Sequence, residues 1–370
     1  MRPAHPATLL VFAPSASSGG PLRYLEEGLP SIAAAWDGRV VVAVPARSVD
    51  RLGSAADVEV VSLTSTGRGG RAGHFLRSSL QARRLRRAYR PAVTYCLGNT
   101  AYAGPLAPSV TLVQNAARRR DLLYRHGPLA WYLQIIAVSI AVSAFRSRKL
   151  IAVSHYTKTL VPTRWGRRRT EVVHHGVRHF EPGAPAPRSG DTLTVTVAGS
   201  IYSYKGVELA IEALARCTNR LWELRLAGPV MELAYASRLE DFAAEQGVGE
   251  RVQWLGPLAH RELLSEVSMT DVLLVVSRAE ACPNLLLEAA TVRPDGVIVG
   301  VEFPWNAEYR DLFDATCPAD RLHELLDEVP LESPANVVER RREAISQYSW
   351  PQTAARTVQV LRAAAGFGTP

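Results

Sequence analysis

The chain has 370 residues, enough for two domains of about 150–200 residues each. Hydrophobic residues make up 47% and charged residues 21%, which excludes a disordered, collagen-like or coiled-coil chain. The net charge of +8 is unevenly spread: residues 1–180 hold 26 Lys or Arg against 8 Asp or Glu, and the remainder holds 17 against 27. Such an asymmetry points to an anionic partner for the first half, and an anionic membrane surface attracts roughly 1 kcal/mol per nearby basic residue. Nucleic acid is not expected as a partner, because the basic residues are not interleaved with aromatics or set on a recognition helix.

In chain order, TLLVFAP reads as a first strand, since its apolar run is too short for a signal peptide. A helix near 21–36, the strands GRVVVAVP and VEVVSL, and the arginine-rich stretch 71–90 follow. AVTYCL, VTLVQN, a helix near 119–147 and LIAVS complete the first half. EPGAPAPRSG (181–190) lacks periodicity and reads as a linker. The second half alternates TVTVAG, a helix over 206–216, LRLAG, a helix over 231–246, VQWLG, a helix over 260–269, VLLVV, a helix over 283–291, and VIVG. This alternation predicts doubly wound parallel sheets. Residues 129–145 carry no charge, but seventeen residues with Gln134, Ser139 and Ser143 fall short of the about 20 that a membrane span needs. A buried helix of the first domain is expected there, with in-plane membrane contact as the alternative. Cys96, Cys217, Cys282 and Cys317 are not close-spaced, so no zinc site or disulfide framework is expected, and a reducing cytoplasm suits them.

The stretch DVLLVVSRAEACPNLLLEAA (271–290) is the most informative. An apolar run reads as a buried strand, a polar turn carries Glu280, and Pro283 is expected at the first helical position. Asn284 and Glu288, four apart, share a helix face. Open α/β sheets bind ligands at such strand–loop–helix junctions, where the helix start favours phosphate and carboxylates accept sugar hydroxyls. Lys205 and Gly206 stand at another strand-to-helix turn, where a lysine can neutralise a diphosphate and a glycine lets the backbone approach it.

The same stretch resembles the E-x7-E signature of retaining glycosyltransferases of family 4, and GSIYSYKGVELAIEALA (199–215) resembles that family's K-G segment. LRLAGP (224–229), VQWLGPLAHRELLSEVSMTDVLLVVS (252–277), VVHHGVR (172–178), IAVSHYTK (151–158) and Ser349-Trp350 are similar to further family segments in order. The resemblance implies the GT-B fold, two Rossmann-like doubly wound domains facing across a cleft. The implied boundaries are 1–183 for a basic acceptor-binding domain, 190–350 for a nucleotide-sugar-binding domain, and 351–370 for a helix crossing back to the first.

The resemblance also implies residue roles. Glu288 would hold donor ribose hydroxyls, and Glu280 would contact the donor sugar and stabilise oxocarbenium charge. Asn284 and Leu285 would offer backbone N–H groups to the diphosphate beside Lys205 and Gly206. Gly19, Gly20, Ser200 and Gly228 would line the donor site, and Pro257 and Leu258 would lie against the base. Asn115 stands where many relatives place a histidine, and could donate a hydrogen bond without acting as acid or base. Ser200 replaces a usual arginine, a loss for which Arg278 could compensate. His155 reads either as a cleft residue or as a structural histidine. His174 and His175 lack a third ligand and are not read as a metal site. Phe303, Pro304 and Trp305 would narrow the pocket beside the donor sugar.

The implied activity is metal-independent, retaining transfer of a sugar from a nucleotide-diphosphate sugar, with UDP or GDP as the expected carrier and no cofactor. The acceptor would be a glycolipid, a polysaccharide or another glycoside. A cytoplasmic protein, peripheral on the inner face of the membrane, is expected. A second reading is a non-catalytic subunit that scaffolds a partner transferase, motivated by Ser200, the absent histidine and the EFPWNAE loop (302–308).

Overall fold

The computed structural model describes residues 7–17, 19–53, 58–64, 70–102, 108–115, 117–123, 125–178, 192–218 and 221–367. The expected linker at 181–190 lies outside them. Two compact units emerge: residues 1–116, 132–176 and 348–370 form unit 1, and residues 117–131 and 177–347 form unit 2.

The first sheet contains β1 (Leu9–Phe12), β2 (Val40–Pro45), β3 (Val58–Leu63), β4 (Val93–Cys96), β5 (Ser109–Val113), β6 (Lys149–Ala152) and β7 (Thr170–Val172). Its order is β3-β2-β1-β4-β5-β6-β7, all parallel. The helices along this stretch are α1 (Gly19–Ala35), α2 (Val49–Leu52), α3 (Gly70–Tyr89), α4 (Pro128–Arg146), α5 (His155–Thr159) and α6 (Arg164–Arg168). The second sheet contains β8 (Leu193–Ala198), β9 (Trp222–Ala227), β10 (Val252–Gly256), β11 (Val272–Val275), β12 (Val297–Val301) and β13 (Ala315–Cys317). Its order is β10-β9-β8-β11-β12-β13, again all parallel. Its helices are α7 (Val207–Arg216), α8 (Leu233–Glu245), α9 (His260–Met269), α10 (Asn284–Val292), α11 (Leu322–Glu328) and α12 (Ala335–Ser346), and α13 (Trp350–Ala365) ends the chain.

Central strands such as β1, β2, β4 and β5 are buried along their whole length. Helices on both faces of a parallel sheet demand this, which is why the strands read as near-continuous apolar runs. In each sheet the strand order reverses once, between β1 and β4 and between β8 and β11. Ligands of such sheets bind beyond the carboxyl ends of the strands at that reversal.

The last helix belongs to unit 1. Gly28 of α1 leaves room for the Trp350 ring, since a β-carbon there would meet its Cζ3 at 2.5 Å. The indole donates to Glu27 Oε2 at 3.1 Å and stacks on buried His175. Thr353 Oγ1 donates to His174 O at 2.8 Å, and Arg148 Nη1 to Ala364 O at 2.9 Å. The histidine pair is thus bound into the packing of the terminal helix.

Three buried tyrosines give unit 1 an alkaline weakness. The hydroxyls of Tyr24 and Tyr95 meet at 2.9 Å. Burial pushes Tyr24 up to about 12, only partly offset by its bond to Tyr95; burial also holds Tyr95 well above its ordinary value and Tyr102 at about 12. A phenol raised in the folded state stabilises fully below its unfolded pKa of about 10 and loses that contribution as pH rises through the folded value. Urea unfolding should therefore show stability falling above about pH 10, by about 1.4 kcal/mol per pH unit for each such tyrosine. A flat profile to about pH 11.5 in that experiment contradicts the assignment.

In unit 2 the guanidinium of Arg341, 0% exposed on α12, ties two loops together. Nε donates to Leu312 O at 2.9 Å, Nη1 to Pro294 O and Gly296 O at 2.7 Å each, and Nη2 to Asp314 Oδ2 at 2.5 Å. Asp314 also accepts from Ile298 N at 2.7 Å, which joins the knot to β12.

The structure departs from the sequence expectations in local ways. The helix expected near 119–147 starts at Pro128, where proline suits a first position. Pro283 is the residue before α10, with ψ 66°, and not its first helical residue. Helix α4, expected to be buried, leaves Trp131, Val138 and Phe145 well exposed. An apolar-all-round helix carries no periodicity to mark its solvent face.

Candidate functional site

The candidate site is built on unit 2, at the reversal between β8 and β11. β8 ends at Gly199, whose φ of +118° turns the chain out of the sheet. Backbone bonds from Ile201 N to Pro229 O and Met231 N to Ile201 O hold the loop to the end of β9. Ser203 donates through N and Oγ to Glu232 Oε1, at 2.9 and 3.2 Å. Gly206, with φ +68°, then opens α7, and a β-carbon there would lie 2.5 Å from Val276 O. Glycine is required at this turn both by conformation and by space. Lys205, just before it, is thereby aimed back toward Gly199.

Lys205 Nζ meets Glu280 Oε1 at 2.5 Å, with both side chains about one-fifth exposed. Two residues 75 positions apart in sequence, Lys205 read as donor-binding and Glu280 as catalytic, therefore form one ion pair. A second pair lies alongside in sequence: Arg278 binds Glu208, and its N–H donates to Tyr204 O at 2.9 Å. Glu208 Oε2 also accepts from Tyr235 OH at 2.5 Å. Burial, reinforced by that carboxylate, pushes the Tyr235 phenol far above its ordinary range, so it remains a neutral donor. The same oxygen accepts from Val207 N at 3.0 Å and fixes the start of α7. Arg278 is thus committed to Glu208.

Glu288 is 2% exposed on α10, and His260 Nε2, at the start of α9, lies 3.5 Å from its Oε1. Asn284 N is already given to Cys282 O at 2.9 Å, and Asn284 Oδ1 accepts from the Cys282 thiol at 3.2 Å. The first of these bonds engages the Asn284 N–H within the loop. The first i→i−4 bond of α10 is made by Leu287 N, so Leu285 keeps the position of an orphan first-turn donor.

The glycines of three strand ends interlock. Gly199 N donates to Ala227 O, and Gly228 N to Gly256 O, at 2.8 and 2.9 Å. Gly228, with φ +152°, sits directly on the Gly199 carbonyl, so no side chain fits there. Ser200 follows on the loop and is half-buried, while Pro257 is exposed and Leu258 half-buried beyond β10. Trp305, expected to narrow a pocket, is 0% exposed and donates to Ser277 O at 2.7 Å. It braces the strand end that carries Arg278 and Glu280. Among the described residues no group of three or more His, Cys, Asp or Glu side chains is placed to hold a metal ion.

Unit 1 has its own features at its carboxyl edge. Gly19 opens α1, and Gly20 has nothing within 4 Å of where a β-carbon would stand. The tight glycine on this edge is Gly98, with φ +86°, whose β-carbon would lie 2.5 Å from Ser15 Oγ. Sequence reasoning missed it, although a Gly-Asn pair after a strand is a turn signal. Asn99 Oδ1 accepts from Gln114 N at 2.7 Å and so sets the strand end that leads to half-buried Asn115. His155 is exposed at the start of α5, with its ring 6.0 Å from that of His174. Beyond β1, β2 and β3 a pocket of about 450 Å³ is lined by Pro14, Arg47, Thr64, His74, Arg77 and Gln81, among others. Glu208, Tyr235 and His260 also escaped the sequence reading, because their partners lie 27 or more residues away.

The two units, each with the 3-2-1-4-5-6 strand order at its core, give the chain the GT-B fold. Residues 184–294 match the family described as glycosyl transferases group 1. Among solved structures, the glycosyltransferase from Rickettsia africae ESF-5 aligns with a TM-score of 0.68 at 13% identity, over 97% of this chain and 98% of that one. Anabaena HepE in complex with UDP and glucose gives 0.68 at 18% identity, over 95% and 98%. Sucrose-phosphate synthase from Thermosynechococcus elongatus gives 0.70 at 14% identity, over 96% and 98%. No curated protein matches the chain.

Proposed function

We propose that this protein is a retaining glycosyltransferase of family 4, which moves a sugar from a nucleotide-diphosphate sugar to a glycolipid, polysaccharide or other glycoside. The observation that carries the reading is the Lys205–Glu280 pair at a sheet reversal, within a segment that matches glycosyl transferases group 1. Buried Glu288 on the helix that follows Glu280 adds to it. The likeness to HepE, solved with UDP-glucose, favours UDP as the carrier.

Lys205 and Glu280 neutralise each other. A bound diphosphate competes for Lys205, and the amino end of α10 adds its dipole and N–H groups, so no metal is needed for that charge. Glu280, released from the lysine, then faces the sugar carbon as positive charge develops on it. Breaking the bond between the anomeric carbon and the diphosphate leaves an ion pair. The acceptor hydroxyl attacks from the same face and passes its proton to the departing phosphate oxygen, which retains configuration. The arginine-lined pocket of unit 1 suits an acceptor that carries negative charge. A membrane-anchored acceptor accounts for the basic first half, and the protein then works in the cytoplasm at the inner membrane face.

The test is a thermal-shift and turnover series with UDP, GDP, ADP, CMP and dTDP and their sugars. A nucleotide at about 100 times its dissociation constant adds about 2.7 kcal/mol of stability. Glu280→Ala should leave nucleotide affinity unchanged or tighter, because Lys205 loses its competitor, while turnover or slow donor hydrolysis falls about a hundredfold or more. Equal turnover in the variant removes Glu280 from its role. Failure of every nucleotide to shift the wild type supports the scaffold reading, for which Ser200 in place of an arginine is the motive.

A further inference from the structure

Helix α4 presents a face that nothing among the described residues of unit 1 covers. Its inner side, with Ile140 and Ala144, packs on Val113, Leu150 and Val161. Ser143 Oγ anchors the same side, accepting from Ala101 N at 2.8 Å. On the opposite side Trp131, Ile135, Val138, Val142 and Phe145 recur at spacings of four and three, which sets them in one row. Trp131, Val138 and Phe145 are 67%, 56% and 64% exposed. Gln134, and half-buried Ser139 at its flank, are the polar residues along the row. Trp165 of α6, 49% exposed, stacks on Phe145 with ring centroids 5.6 Å apart and so extends the row beyond the helix end.

The charge around this row is of one sign. Between Pro128 and Arg169 there are eight Lys or Arg and no Asp or Glu. Arg148, Arg164 and Arg168 are exposed, and Arg169 lies with its guanidinium 3.3 Å from the centre of the Trp165 ring. A row of large aliphatic and aromatic side chains ending in a tryptophan and rimmed by arginines matches the layering of an anionic bilayer surface: acyl chain, interfacial ring, headgroup phosphate. By length and composition the helix is long and apolar enough to cross a membrane, but its inner side is packed into the unit 1 core, which leaves one face for contact in the plane of the bilayer.

We propose that the outer face of α4, with Trp165, docks this protein in the plane of an anionic membrane. The proposal deepens the reading of a membrane-anchored acceptor but does not need the transferase activity to be correct. The apolar row enters the acyl boundary, and Arg164 and Arg168 meet lipid phosphates.

The test is sedimentation of the full chain with vesicles of phosphatidylcholine alone or with about one-third phosphatidylglycerol, at low and high salt, alongside size-exclusion light scattering. Binding to the anionic vesicles at least tenfold stronger than to the neutral ones, weakened by salt, is the expected result. The double variant Val138→Glu, Phe145→Glu should lose at least tenfold in vesicle affinity while keeping the nucleotide-induced thermal shift of the wild type. Arg164→Gln with Arg168→Gln, which leaves the apolar row intact, should reduce the preference for anionic lipid. Absence of vesicle binding by the wild type, or a double variant that binds as well as the wild type, overturns the proposal. A wild-type dimer that the double variant converts to a monomer, without vesicle binding, makes the face a contact between two copies and overturns it too. Vesicle binding without any nucleotide shift leaves the docking intact and counts only against the transferase reading.

Discussion

Glu288→Ala is expected to raise the dissociation constant for the nucleoside diphosphate about tenfold to a hundredfold with the fold intact, since charge-assisted hydrogen bonds contribute roughly 1.5–3 kcal/mol. The carboxylate is 2% exposed inside α10, and a buried charge persists only where partners or a ligand meet it. His260, 41% exposed at 3.5 Å, is one such group and can turn to water when the carboxylate is removed. Alanine is the best helix former, so α10 itself loses nothing. Calorimetric titration of wild type, Glu288→Ala and Glu288→Gln separates the contributions. Glutamine keeps one acceptor and the side-chain volume, and should fall between the other two. Unchanged affinity in the alanine variant, with a melting temperature like that of the wild type, removes Glu288 from the donor site.

The largest effect on stability should come from Arg341→Ala, with a loss of about 3–5 kcal/mol, because removing one partner of a buried ion pair strands the other. Asp314 would keep only Ile298 N from the pairs described above, the carbonyls of Leu312 and Pro294 would lose the guanidinium, and Gly296 O would keep only the Ser333 hydroxyl. Burial lowers the arginine pKa while Asp314 opposes the shift, yet a guanidinium so far above neutrality stays charged. Arg341→Lys should rescue little, since an ammonium cannot reach separate acceptors in a fixed fork. Arg341→Met restores volume but leaves the Leu312 and Pro294 carbonyls without the guanidinium, and should be destabilised as well. Urea denaturation followed by far-ultraviolet circular dichroism measures all three. A loss below about 1 kcal/mol for Arg341→Ala means the loops re-form their bonds without it.

Much of the candidate site was legible from local signals. Lys205-Gly206 after an apolar run marks a strand-to-helix turn, and the eight-residue interval from Glu280 to Glu288 marks a loop and one turn of helix. These are properties of chain spacing, so they survive without knowledge of the fold. Their partners do not. Arg278 and Glu208 are 70 residues apart, and no periodicity within either segment requires the meeting. Arg278 was read as a substitute for the arginine missing at Ser200, but only the folded chain reveals that Glu208 holds it. Trp305 was read as a pocket wall from the family resemblance alone. The strand end at Ser277 supplies the buried acceptor that draws its indole inward.

The sequence by itself determined the two parallel sheets, because strands covered on both faces must be apolar throughout and cannot be mistaken for amphipathic ones. It also determined that a lysine and two carboxylates sit at strand-to-helix junctions, and that the first half is basic. Only the tertiary structure decided which strands are neighbours at each reversal, and hence that β8 and β11 bring Lys205 onto Glu280. Only it decided which side of α4 faces water. The helix is apolar on every side, so its own pattern is silent, and the choice was made by Ile140, Ala144 and the Ser143 hydroxyl finding partners on one sheet. Long-range pairing is fixed by packing and hydrogen-bond satisfaction over the whole unit, quantities that no local stretch of chain encodes.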